Sequence, residues 1–145
     1  TSALARDIPQ IIVPGGLDMH IIPGATKMDE VPDMLKGRAW SMHGPNIVLV
    51  RTNAGEMEKA AKYIAQQANT SKGPVAVLIP VQGFSEASKK DAPLYDPESD
   101  SAFIRALKEH ASSQVKVVEA QCHINDDAFA DELIKLFDEM KEFRR

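Results

Sequence analysis

Four short apolar runs set the rhythm of this chain: Gln10–Val13, Asn46–Arg51, Val75–Pro80 and Val115–Ala120. Each is rich in valine and isoleucine, and three are nearly continuous rather than alternating. Strands covered on both faces read this way, because neither side of the pleat meets water. The stretches between them carry a helical period. Asn53 and Glu56 form a capping-box pair, and Met57, Ala60, Ala61, Ile64, Ala65 and Ala68 follow at three- and four-residue steps. Asp96-Pro97-Glu98 is a second helix start, a capping acid followed by proline, with Phe103, Ile104, Leu107 and Ala111 as the buried face. A third helix opens at Asn125 or Asp126. It buries Phe129, Leu133, Leu136, Phe137 and Met140, with Ile124 placed to staple onto Phe129. Lys141, Arg144 and Arg145 suit the negative end of its dipole.

This alternation predicts an α/β fold, a three-layer Rossmann-like sandwich with a mainly parallel sheet and right-handed crossovers. Two connections are long. Residues 15–45 hold only a weak helical centre around Pro32-Asp33-Met34-Leu35, and residues 81–95 are a polar loop. Long irregular segments in a compact domain are often functional. The opening Leu4-Ala5-Arg6-Asp7-Ile8-Pro9 reads as the end of a helix running into a strand. Residues 1–145 are therefore expected to be a single α/β subdomain, a fragment of a longer protein cut inside or just before an α/β unit.

Composition narrows the function classes. A chain of 145 residues suits one domain, and a net charge of -4 offers no basic field for DNA or an acidic membrane surface. No apolar run approaches the roughly 20 residues that span a bilayer. The single cysteine, Cys122, excludes an internal disulfide and fits a reducing, cytoplasmic setting.

In a parallel sheet the segments after the strands converge on one rim, which is where open α/β sheets bind ligands. The first such segment, Pro14–His20, turns on glycines and then presents an acid and an imidazole. Together the four segments nominate Gly15, Gly16, Asp18, His20, Arg51, Thr52, Gln82, Gly83, Ser85, His123, Asn125 and Asp126 as ligand-binding candidates. Two helix N-termini and Arg51 favour an anionic, phosphorylated or carboxylated ligand. Each residue also has a plainer role: Asn53, Asn125 and Asp126 as caps, Gly83 as a turn residue, and Arg51 as a salt-bridge partner of Glu56 or Asp18. Asp18, His20 and His123 have metal-ligand chemistry, but no local His or Cys spacing supports a metal centre. Cys122 beside His123 does not form a nucleophile pair, since sequence neighbours rarely place a base on its own nucleophile. There is no P-loop, no G-x-G-x-x-G turn and no G-x-S-x-G elbow. No catalytic residue is assigned. Met19, Met28, Met34, Met42 and Trp40 in the long first connection are candidates for a partner surface.

Several ordered motifs resemble a known family. They are Ile8–Met19, with Pro14-Gly15-Gly16-Leu17-Asp18 at its centre, then Gly37-Arg38, His43, Arg51-Thr52, Asp96–Asp100 and His123–Ala130. The chain is similar over nearly its whole length to the C-terminal half of the tomato mosaic virus resistance-protein family, inhibitors of viral RNA replication with uncharacterised bacterial and fungal relatives. The resemblance implies two Rossmann-like subdomains, of which this chain is the second, and a homodimer. It implies a first subdomain as partner, and possible contact with another protein. It also implies ATP and magnesium as cofactors of the full-length protein, with none within this chain. The function expected first is a ligand- or nucleotide-linked binding subdomain of a dimer-forming protein, with no chemistry of its own. The alternatives are an enzyme acting on a small phosphorylated or carboxylated compound, with His20, Asp18 and His123 as acid–base groups, and a pure protein-interaction module.

Overall fold

The computed structural model describes residues 3–142. In chain order the strands and helices are β1 (Gln10–Ile12), β2 (Met19–Pro23), β3 (Trp40–Met42), β4 (Ile47–Arg51), α1 (Ala54–Asn69), β5 (Val75–Pro80), α2 (Pro97–His110), β6 (Val115–Ala120) and α3 (Asp127–Glu142). Short 3-10 turns occupy Ala3–Ala5, Met28–Glu30, Asp33–Leu35 and Glu86–Ser88.

β1, β5 and β6 form a parallel sheet with β5 in the middle. Period-two alternation splits its side chains between two helical layers. Val75, Val77 and Ile79 face α1 and α2, packing with Met57, Ala61, Ala65, Phe103 and Leu107. Ala76 and Leu78 face α3, packing with Phe129, Leu136 and Met140. The result is the expected three-layer α/β sandwich. Small alanines on α1 let it lie close to both the sheet and α2. Phe84 and Phe103 meet edge-to-face at 5.2 Å between ring centroids, a geometry that favours aromatic pairs.

One strand lies elsewhere than expected. The Asn46–Arg51 run becomes β4, which pairs antiparallel with β2 and β3 in a second three-stranded sheet. Val48 and Val50 are buried beneath the 24–38 segment with Ala25, Val31 and Leu35. Leu49, pointing to the opposite face, is also buried. A strand covered on both sides has the same apolar signature whichever way its neighbours run. The long first connection therefore holds two strands that the sequence pattern does not announce.

The helix starts are as expected. Asn53 Oδ1 accepts from the Glu56 N–H and Glu56 Oε2 from the Asn53 N–H, both at 2.9 Å. Asp96 caps α2, accepting from the Ser99 N–H at 3.1 Å, with Pro97 in the first turn. Asn69 ties the ends of α1 and α2 together, donating to the His110 carbonyl at 2.9 Å and accepting from the Ser112 N–H at 2.8 Å. The α3 stripe is corrected at Phe137, which is 53% exposed rather than buried. Arg144 and Arg145 lie outside the described residues. Among those described, no helix is long and apolar enough to cross a membrane.

Candidate functional site

The C-terminal ends of β5 and β6 open onto a cleft of about 510 Å³. The segment after β5 contributes Gln82, Glu86, Lys89 and Lys90. The turn before α3 contributes His123, Asn125 and Asp126, and the start of α2 contributes Tyr95, Pro97 and Asp100. Polar groups thus converge from three segments at one end of the parallel sheet.

His123 is held from three sides. Its N–H donates to Asp126 Oδ2 at 2.8 Å, and its Nδ1 accepts from the Asn125 N–H at 3.2 Å. Nε2 lies 2.9 Å from the Ser85 carbonyl. An accepting Nδ1 assigns the hydrogen to Nε2, so the neutral ring donates to that carbonyl. Gly83 makes this approach possible. A Cβ there would lie 2.7 Å from His123 Cδ2, and its φ of 137° is one that side chains rarely adopt. Asp126 closes the turn into α3, accepting from the Ala130 N–H through its carbonyl, so it rather than Asn125 stands at the helix start. The Asn125 side chain points instead toward Glu86, at 3.4 Å.

Next to the cleft is a buried ionic cluster. Asp18 is fully buried and Arg51 is 4% exposed. Arg51 donates to the Asp18 carbonyl at 2.9 Å, to the Asp96 carbonyl at 3.0 Å and to Asp100 Oδ1 at 2.5 Å. Ser85 donates its hydroxyl to Asp18 Oδ2 at 2.5 Å. Asp18 Oδ1 and Arg51 Nε are buried with no hydrogen-bond partner. Burial pushes the Asp100 carboxyl up to about 6, with the Asp18 and Asp96 charges adding to the effect and Arg51 opposing it. At Asp96 burial also works upward, but the Ser99 hydrogen bonds and Arg51 hold that carboxyl below its usual range.

A second hub sits on Glu56. Arg38 donates to its Oε2 at 2.6 Å, the Asn53 N–H donates at 2.9 Å, and His20 Nε2 lies 3.2 Å away. Burial alone would raise the Glu56 carboxyl, but Arg38, Asn53 and His20 together bring it down to about 2. Arg38 also donates to the Met34 carbonyl, fastening the long connection to α1.

The twelve expected residues therefore separate. Gln82, His123, Asn125 and Asp126 line the cleft. Asp18, Arg51 and Ser85 meet in the buried cluster. His20 belongs to the Glu56 hub, and Arg51 pairs chiefly with Asp100 rather than Glu56. Thr52 donates to the Leu17 carbonyl at 3.1 Å, and Gly16 donates to the Phe84 carbonyl at 2.9 Å with a φ of 69°. A Cβ on Gly15 would come within 2.8 Å of Ile124 Cδ1. These contacts sew Pro14–His20 to both neighbouring strand ends. Sequence reasoning missed Asp100, Arg38, Lys89, Lys90 and Tyr95. Asp100 left one signal: it precedes Phe103 and Leu107 on the buried stripe of α2, where a charge is out of place.

Both His123 nitrogens are engaged, and burial pushes the Cys122 thiol up, away from the reactive thiolate. Among the described residues, no group of three or more His, Cys, Asp or Glu side chains is placed to hold a metal ion.

Comparison with known proteins gives a consistent picture. A UPF0261 protein of Brucella suis biovar 1 is 29% identical over 131 residues, covering 90% of this chain and 31% of the relative. A UPF0261 protein of Clostridium tetani is 32% identical over 136 residues, covering 93% and 33%. The ToMV resistance protein Tm-1 of Solanum lycopersicum is 33% identical over 139 residues, covering 92% and 18%. The chain thus spans about a third of the bacterial relatives' length and less of the tomato protein's. Residues 1–141 match the family described as "Uncharacterised protein family (UPF0261) C-terminal domain". On that match, and with the fold just described, the chain belongs to the UPF0261 family.

Proposed function

We propose that this chain is a ligand-binding subdomain without chemistry of its own, and that its cleft takes a small phosphorylated or carboxylated compound. The observation that carries this is the position and lining of the cleft. It opens at the carboxyl ends of β5 and β6, beside the starts of α2 and α3, with Lys89 and Lys90 on one side. Lys89 is paired with Glu86, whereas Lys90 has no ion-pair partner among the described residues. Helix starts and a free ammonium favour an anion. The engaged state of His123 speaks for binding over acid–base catalysis. In the longer protein this subdomain would serve a dimeric, nucleotide-linked assembly, with ATP and magnesium held outside this chain. The single buried thiol suits a cytoplasmic protein. Thermal-shift measurement against pyrophosphate, sugar phosphates and dicarboxylates tests the reading. Stabilisation that rises with ligand concentration supports it. A flat response to all of them sinks it.

A second reading, a protein-contact surface, has one observation of its own. Trp40 and Met42 on edge strand β3 are 41% and 40% exposed, and nearby in sequence Met34 is 74% exposed. Charged substitution at Trp40 would abolish partner capture on this reading and leave ligand-induced stabilisation intact.

A further inference from the structure

Asp100 belongs to both the cleft and the buried cluster, which makes it the contact point between ligand and ion network. Three carboxylates surround one guanidinium: Asp18 from the β1–β2 connection, Asp96 at the α2 cap, and Asp100 itself, all on Arg51 of β4. The other nearby cation, Arg38, is committed to Glu56. The remaining charged or titratable lining groups are Glu86, Lys89, Lys90, Tyr95, His123 and Asp126. The cluster is short of positive charge, and Asp18 Oδ1 has no donor. Asp100 Oδ1 is held by Arg51, which leaves Oδ2 to carry a proton.

We propose that Asp100 makes anion binding in the cleft proton-linked: the ligand enters with one proton, which Asp100 takes from solvent and holds on Oδ2. This rests on the binding reading above. An anion beside an ionised Asp100 would set like charges together in a wall with little water. The proton removes that repulsion and turns an acceptor into a donor. Burial already holds this carboxyl at about 6, so the proton is within reach near neutral pH.

The test is calorimetric titration of the intact chain with sulfate, which does not itself titrate, from pH 5 to pH 8 at constant ionic strength. The sulfate association constant of the wild-type chain is expected to fall about tenfold per pH unit above the Asp100 midpoint. Asp100→Asn, which mimics the protonated acid, is expected to vary less than about twofold across the range. Wild-type binding independent of pH overturns the inference and leaves the anion site standing. A variant that keeps the wild-type slope moves the proton to another group and also overturns it. Absence of sulfate binding to both proteins at pH 5 removes the anion site and the inference together. Carbon-13 NMR of the wild-type Asp100 carboxyl gives a check that needs no variant: its midpoint must rise when sulfate is added, and an unchanged midpoint refutes the linkage.

Discussion

Replacing Arg51 with methionine perturbs the buried cluster most directly. Arg51 is 4% exposed, and its guanidinium serves two backbone carbonyls and Asp100 at 2.5 to 3.0 Å. Methionine keeps much of the apolar volume and none of the donors. Asp18, fully buried, and Asp100 would be stranded without their cation. Removing one member of a buried ion pair costs about 3–5 kcal/mol, because the remaining charge stays desolvated. The expected loss at pH 8 is therefore about 4 kcal/mol. The pH dependence follows from Asp100. Its folded value of about 6 lies above the ordinary 3.8, so the folded state holds the proton more tightly than the unfolded chain. Without Arg51 that preference grows, and protonation relieves more of the damage. The deficit should be greatest at pH 8 and shrink toward pH 5. Urea unfolding followed by circular dichroism at both pH values, with midpoints compared at equal slope, measures it. A loss under about 1 kcal/mol at pH 8 would refute the buried-pair account. So would a deficit that grows toward pH 5.

Other expectations bear on neighbouring contacts. Glu56 has a folded value of about 2 against an ordinary 4.5, so its stabilisation is full above pH 4.5 and is lost as pH falls toward 2. Glu56→Gln should cost about 1–2 kcal/mol at pH 7, with the difference from wild type gone by pH 2 in chemical denaturation. Gly83→Ala should cost about 2–4 kcal/mol, combining a disfavoured φ with a displaced His123, and a midpoint shift near zero would show the turn can relax. Asn125→Ala should change stability by less than about 0.5 kcal/mol, since Asp126 starts the helix, while weakening ligand-induced stabilisation. A loss near 1 kcal/mol would restore Asn125 as the cap.

What could be read from the sequence follows the physics of each element. β5 stood out because a strand covered on both faces needs unbroken apolar residues, and β1 and β6 because they are short valine- and isoleucine-rich runs, β6 interrupted by Lys116 and Glu119. The starts of α1 and α2 stood out because Asn53, Glu56, Asp96 and Pro97 act through local geometry. The direction of β4 did not, because Val48, Leu49 and Val50 are buried whatever their neighbours' sense. β3 was hidden by brevity, being three residues long, and β2 by composition, since Met19–Pro23 has only Ile21 and Ile22 as β-branched residues and ends in proline before Gly24. Phe137 fits the α3 period but is left half-exposed, lining an open apolar groove with Pro9 and Ile11. In the site, Asp18 and Arg51 were visible as strand-end residues. Their partner Asp100 is 49 positions from Arg51, and Asp96–Asp100 reads as a helix start. Long-range ion pairs such as Arg38 with Glu56 leave no periodic trace.

On the binding reading, the cleft at the ends of β5 and β6 takes a small anion. Titrating the nitrogen-15-labelled chain with pyrophosphate and following its amide resonances tests this most directly. The account predicts saturable shifts centred on Gln82, Lys89, Lys90, Asn125 and Asp126, with residues on β3 unmoved. Shifts absent at saturating pyrophosphate, or centred away from these residues, would contradict it.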